Sequence, residues 1–259
     1  MGYIAALFIG ISLGLIGGGG SILTVPVLVY LFGISPIVAT SYSLFVVGST
    51  SLVGSFNSYR KGWVDLKTAF LFGFTSIVTV FITRKLIIPL IPDYFSIAGL
   101  HLTFSLLTMV LFAILMLAAS FSMINGNKKI KDSNTGSLSI FSLLLYGTGI
   151  GLITGFLGAG GGFLLIPALV LIFNFPMKKA IGTSLLIIAL NSLVGFLADM
   201  GQYNTNWNLL IAISSIAIAG VFIGGALSKR IQGENLKKGF GWFVLLMGVY
   251  IIVKEILLK

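Results

Sequence analysis

Long apolar runs alternate along the chain with short polar punctuation. The stretches from Ser35 to Ser58, Leu100 to Ile124 and Phe240 to Val253 contain no Asp, Glu, Lys or Arg. About 20 apolar residues in a helix suffice to cross roughly 30 Å of hydrocarbon. The pattern predicts spans at about 36–58, 67–90 and 99–124, and again at 177–199, 207–229 and 237–258. Two further apolar segments, 3–33 and 140–174, are broken at their centres by glycine, in "GLIGGGGSILTVP" (14–26) and "GFLGAGGGFLLIP" (155–167). Glycine costs about 1 kcal/mol against alanine in a helix interior, so neither segment is expected to run through as one helix.

The two halves repeat each other. An offset of 141 residues aligns Gly17, Gly19 and Gly20 with Gly158, Gly160 and Gly161, and Pro26 with Pro167. Ser43-Leu44 meets Ser184-Leu185, and Ser51-Leu52-Val53-Gly54 meets Ser192-Leu193-Val194-Gly195. From Ile9 to Gly54 the two copies share 18 identities in 46 positions. Such duplication is the signature of secondary-transporter folds. It divides the chain into a first membrane repeat (1–124), a polar cytoplasmic linker "NGNKKIKDSNTGS" (125–137) and a second membrane repeat (138–259).

Composition sets the class. The chain is 57% hydrophobic and 8% charged, with a mean hydropathy of +1.11, where soluble domains carry about 25% charged residues. The expectation is an all-α integral membrane protein in a lipid bilayer. Its net charge of +10 lies in short basic clusters between apolar spans, the pattern of cytoplasmic loops rather than of a nucleic-acid surface. The first segment lacks a basic leader and a polar cleavage site, so it reads as part of the mature fold. The absence of cysteine excludes disulfides and thiolate chemistry.

Charge also bears on topology. If each broken segment crosses the membrane, lysines and arginines divide eight against eight between the two sides. If each dips and returns as a re-entrant hairpin, each half has three full spans, the halves are inverted, and the division becomes twelve against four. The positive-inside rule favours the second arrangement, with both termini outside. Tyr3 to Ile16 would measure about 21 Å as helix, too short to cross.

Bare backbone at membrane depth is tolerated only where protein or a water-filled cavity surrounds it. A short helix leaving each break offers free N–H groups and a positive dipole end, and two such ends facing each other sum to roughly one positive charge. The expected seat for a small anion is therefore Gly17, Gly18, Gly19, Gly20 and Ser21 with Gly158, Ala159, Gly160, Gly161 and Gly162. Pro26 and Pro167 are expected near the first turn of the departing helices, where a missing N–H is harmless. Polar residues on the next span, Ser43 in the first half and Thr183, Ser184 and Asn191 in the second, are candidates to replace water around the anion. The competing readings are close packing through small residues for the glycines and interhelical hydrogen bonds for the hydroxyls.

The six carboxylates all fall near predicted span ends, so no mid-membrane relay is expected; Asp199 is a candidate gate. His101 stands alone and makes no metal site. No base sits beside a nucleophile, and no Lys-Ser or Lys-Thr follows the glycine runs as a nucleotide loop requires. Neither an enzyme nor a cofactor is expected.

Two Gly-rich stretches ending in Pro, each leading to a "TS"-type helix ("ATSYSLF", "AIGTSLL"), with "VDLK" and "TNWN" opening the next span, resemble the TauE/SafE family of sulfite exporters over nearly the whole chain. The resemblance implies a permease in a prokaryotic inner membrane for small sulfur-containing anions such as sulfite, sulfoacetate or other organosulfonates, often in the direction of export. It points to the two glycine clusters, Pro26, Pro167, Ser43, Thr183 and Ser184. Tyr42 stands where the family pattern has Thr, and "VDLK" lacks the aromatic that the second copy has at Trp207. The rival readings are a channel-like anion pore and a non-transporting scaffold for a partner complex. Homodimer formation is left open.

Overall fold

The computed structural model describes residues 1–18, 20–92, 94–97, 100–125, 140–158, 160–173, 175–203, 205–227 and 233–257. The first half comprises α1 (Gly2–Ile16), α2 (Ser21–Tyr30), α3 (Pro36–Arg60) and α4 (Leu66–Ile82), which a π-helical turn (Thr83–Ile87) joins to α5 (Ile88–Leu90). A short antiparallel hairpin, β1 (Tyr94–Ile97) and β2 (Leu100–Thr103), then leads to α6 (Phe104–Asn125). The second half comprises α7 (Ile140–Leu157), α8 (Gly162–Pro167) with a π turn (Ala168–Ile172), α9 (Met177–Asp199), α10 (Trp207–Leu227) and α11 (Gly233–Ile252) with a final π turn (Val253–Leu257). The hairpin corrects the expected span at 99–124: four residues of strand precede the helix, which starts at Phe104. Five helices among the described residues are long and apolar enough to cross a membrane: Pro36–Arg60, Leu66–Leu90, Phe104–Phe121, Met177–Asp199 and Trp207–Leu227. The linker expected at 125–137 lies, past Asn125, outside the described residues.

Local chemistry places the helix ends. Pro36 opens α3 at a position that needs no donor. The side chain of Asp65 caps α4 by accepting the Thr68 N–H at 2.8 Å, and that of Asn206 accepts the Leu209 N–H ahead of α10 at 3.1 Å. These caps are counterparts under the 141-residue offset.

Both broken segments turn back on themselves. A Cβ at Gly20 would meet Ile9 O at 2.5 Å and Leu13 N at 2.8 Å, whereas a continuous helix would hold Gly20 about 16 Å from Ile9. In the second half Gly161 lies against Ile150 and Thr154, the same positions 141 residues on. The open ends close with aromatic contacts: the Tyr3 and Phe32 rings are 5.6 Å apart, and those of Tyr146 and Phe173 are 6.1 Å apart.

Packing between the halves follows the repeat. Counterparts α3 and α9 run antiparallel: Gly48 packs on Leu193, Gly54 on Leu185, Gly182 on Ser58, and the Phe45 and Phe196 rings lie 5.0 Å apart. The first hairpin packs along the second half and the second along the first. Gly10 and Gly14 of α1 rest on Ala217 and Val221 of α10, while Gly147 and Gly151 of α7 rest on Thr75 and Ser76 in the middle of α4 and Gly155 rests on Thr83 of its π turn. Here glycine does serve close helix contact, in the small-xxx-small manner. The outer helices α6 and α11 meet where Gly248 lies on Ala113, Met116 and Leu117.

The interior is rich in hydroxyls and the surface in large apolar groups. Thr40, Ser41, Ser43, Thr50, Ser51, Asn191 and Ser192 are buried, while Phe56, Phe70, Phe74, Leu197 and Phe222 are exposed. That distribution suits a lipid surround around a polar centre.

Candidate functional site

The hairpin tips are built by backbone conformation. Gly17, at φ +84°, ends α1 with its N–H on Leu13 O at 2.8 Å, and Gly158, at φ +66°, ends α7 with its N–H on Thr154 O at 2.9 Å. Gly160 and Gly161 also have positive φ, +65° and +67°. Gly161 O accepts the N–H groups of Leu164 and Leu165, both at 3.0 Å, and so begins α8. In the first tip Ser21 Oγ donates to Gly18 O at 2.8 Å. Past Gly17, the next N–H with a backbone acceptor among the described residues is that of Leu23, on Gly20 O. Helix starts such as that of α2 leave their first N–H groups without an acceptor inside the helix. Gly19 and Ala159, both expected in the site, lie outside the described residues.

The two tips touch. A Cβ at Gly18 would fall 2.6 Å from Gly162 O, and one at Gly162 2.7 Å from Gly18 O. Each tip leans on the central helix of the other half: Gly17 lies against Ile181 of α9, and Gly158 against Thr40 of α3. Gly160 sits among Val47, Ile188 and Ser192, in the middle of the α3 and α9 pair.

The surroundings of the tips are unequal. Thr154 Oγ1 and Ser192 Oγ border Gly161 and Gly160 and have no hydrogen-bond partner among the described residues. Ser43 Oγ, also buried and unpartnered, lies on the face of α3 that bears Thr40 and Val47. In the first half the position of Thr154 is held by Leu13. The hydroxyls of the first tip, Ser21 and Thr24, are instead turned onto its own carbonyls, those of Gly18 and Gly20.

The expected ligands on α9 take other partners. Thr183 Oγ1 accepts the Asp65 N–H at 3.0 Å, pinning the loop between α3 and α4, and Ser184 Oγ donates to Ile181 O at 2.9 Å. Asn191 Nδ2 donates to Ser76 Oγ at 2.6 Å, which leaves its Oδ1 buried without a partner. Tyr42, where the family pattern has Thr, does the work of Thr183 in the other copy: its hydroxyl accepts the Asn206 N–H at 2.7 Å. "VDLK" and "TNWN" are the two pinned and capped loops.

Two positional expectations need correction. Pro26 is not in the first turn of its helix but is the sixth of ten residues in α2, where its missing N–H leaves the Ile22 carbonyl without its usual partner. Pro167 is the sixth and last residue of α8, and the helix widens into a π turn directly after it. Two of the carboxylates at span ends turn inward. Asp199 is buried and paired with Arg84 at 2.8 Å, and Glu255 is buried and accepts the Tyr30 hydroxyl at 3.1 Å. Sequence reasoning missed Thr40, Thr154 and Arg84. The only early signal for Thr154 was its spacing of four from Gly158, which puts it one helical turn below the tip.

A profile of the family described as "Sulfite exporter TauE/SafE" matches residues 3–251, both hairpins included. The chain belongs to the TauE/SafE family. A "Probable membrane transporter protein" of Xylella fastidiosa is 28% identical over 251 residues, covering 94% of this chain and 91% of the relative. The "Probable membrane transporter protein YunE" of Bacillus subtilis is 27% identical and covers 99% of both. An archaeal relative, "Probable membrane transporter protein MJ0441" of Methanocaldococcus jannaschii, is 25% identical over 96% of this chain and 94% of its own. No solved structure matches the chain. The protein is a membrane transporter of the TauE/SafE family.

Proposed function

We propose that this TauE/SafE transporter is a permease that exports small sulfur-containing oxyanions, such as sulfite, sulfoacetate or other organosulfonates, across a prokaryotic plasma membrane. The two repeats, 1–124 and 138–259, are inverted about an axis in the membrane plane, and one bundle rocks on the other in alternating access around a fixed site. The observation that carries the reading is the meeting of the tips: bare glycine backbone at Gly18 and Gly162, with the unpartnered hydroxyls of Thr154 and Ser192 against the neighbouring Gly161 and Gly160. Open N–H groups and hydroxyls suit an oxyanion, which accepts several hydrogen bonds at once.

The antiparallel packing of α3 on α9 supports the inversion, because counterpart helices related by an axis along the membrane normal would run the same way. The family description names sulfite and export, which supports the substrate class and direction.

The test is reconstitution of the purified protein in liposomes with labelled sulfite. Saturable flux, competed by organosulfonates, is the expected result. Flux linear in concentration would indicate a pore, and no flux of sulfite, thiosulfate, sulfate or sulfonate would favour a scaffold.

A further inference from the structure

Arg84 is one of the largest side chains in the interior, 1% exposed. A π turn at Thr83–Ile87 carries it there; the additional residue in that turn shifts the helix register, so that Thr83 and Arg84 are both buried in succession. Its hydrogen bonds to the described residues all leave from one nitrogen. Nη1 donates to Asp199 Oδ2 at 2.8 Å and to Thr40 Oγ1 at 3.1 Å. Ser41 hydrogen-bonds the same carboxylate. Nε and Nη2 are buried and have no acceptor among the described residues.

Those two groups form one edge of the guanidinium. Their N–H bonds point the same way, and this is the fork that takes two oxygens of one carboxylate, sulfonate or phosphate side by side. Leaving charged donors buried and unfilled is costly, so a native interior that does so calls for a reason. The location supplies one. Thr40, which Arg84 holds, is the residue against which Gly158 of the second tip rests. The 141-residue offset gives the pair no equivalent, since position 225, aligned with Arg84, is glycine and position 58, aligned with Asp199, is serine. The cation belongs to the same tip as the unpartnered Thr154 and Ser192.

We propose that Arg84 is the cationic anchor of the substrate, gripping two oxygens of the anion side-on through Nε and Nη2 while Asp199 and Thr40 hold Nη1. This rests on the second tip being the site, and it adds a selection rule. Anions with two oxygens on one centre, sulfite and sulfonates among them, satisfy the fork; a halide does not. Asp199 neutralises the guanidinium when the site is empty, and its single bond to Nη1 leaves the gripping edge clear.

The test is binding of sulfite, methanesulfonate and chloride to the purified full-length protein in detergent, for the wild type, Arg84→Lys and Gly160→Val. Lysine keeps the charge opposite Asp199 but has no fork. The expected result is that Arg84→Lys weakens sulfite and methanesulfonate by roughly ten- to a hundredfold, the worth of a charge-assisted hydrogen bond, with little change for chloride. Wild-type affinity of Arg84→Lys for both oxyanions, with binding lost in Gly160→Val, would remove Arg84 as anchor and leave the tip site standing. Loss in Arg84→Lys with binding intact in Gly160→Val would put the anion on Arg84 away from the tip and overturn the proposal that the two form one site. Absence of binding of any two-oxygen anion to the wild type, nitrate and acetate included, would overturn both. Should Arg84→Lys fail to fold, nitrogen-15 arginine labelling of the wild type decides, since the chain has only Arg60, Arg84 and Arg230. A buried Nε–H resonance that shifts saturably with methanesulfonate supports the anchor, and one that does not move refutes it.

Discussion

A Cβ at Gly160 would stand 2.8 Å from Val47 Cγ1, 2.9 Å from Ser192 Oγ and 3.0 Å from Ile188 Cγ2, on a backbone at φ +65°. Both the space and the conformation demand glycine there. We predict that Gly160→Val abolishes sulfite flux in liposomes while the protein still inserts and elutes as a single species in detergent. Near-normal flux would show that the tip is not on the transport route. Asp199 makes a different residue-scale prediction. Its removal in Asp199→Ala strands the Arg84 charge in the interior, which costs about 3–5 kcal/mol for a buried pair. Thermal unfolding in detergent should shift down strongly, and an unchanged midpoint would mean that Arg84 has found another partner. The pairing was hidden in the sequence because Arg84 and Asp199 are 115 positions apart and each sits at a span end, where charges ordinarily reach water.

At the scale of elements, two loops are fastened in the same way. The Asp65 N–H binds Thr183 Oγ1 at 3.0 Å and the Asn206 N–H binds Tyr42 Oη at 2.7 Å, related by the same offset of 141. Different side chains, threonine and tyrosine, thus meet one backbone requirement. Thr183→Val and Tyr42→Phe each leave a partly buried N–H without its acceptor, a loss of about 1–3 kcal/mol. Both variants should be destabilised in thermal unfolding by comparable amounts. A large effect in one and none in the other would break the equivalence of the loops. The hairpins themselves were readable in advance, since glycine density and segment length both argued against a through-going helix. What the sequence could not distinguish was one use of glycine from another. Gly17 and Gly160 serve conformation, with positive φ, whereas Gly10, Gly14 and Gly151 serve close approach to a facing helix.

For the whole molecule, the antiparallel α3 and α9 and the returning hairpins sort the charged loops by face. Lys61 and Lys178 both lie over the Trp63 ring, at 5.0 and 5.4 Å, so the loops ahead of α4 and α9 share one face. Tyr30 bonds Glu255 and lies under Lys254, which puts the final turn beside the open end of the first hairpin, near Tyr3 and Phe32. The beginning and end of the described chain therefore share the other face. The chain has no native cysteine, so single cysteines report topology directly. Cysteine at Lys61 or Lys178 should react only with reagent on the cytoplasmic side, and cysteine at Lys85 or Lys254 only with reagent outside. Labelling of all four from one side would end the inverted reading.

By itself the sequence determined the class, the duplication, most span limits and the two glycine breaks, because each is a property of composition or of spacing along one chain. Apolar length, a repeated motif and a conformational cost need no partner to be seen. Only the tertiary structure decided that the tips touch, that Thr154 and Ser192 border the second tip without partners, that Thr183 and Tyr42 face the loops, and that Arg84 turns inward to Asp199. Those outcomes depend on which surfaces the two halves bring against each other, and on a π turn that rotates one side chain from the membrane edge into the core.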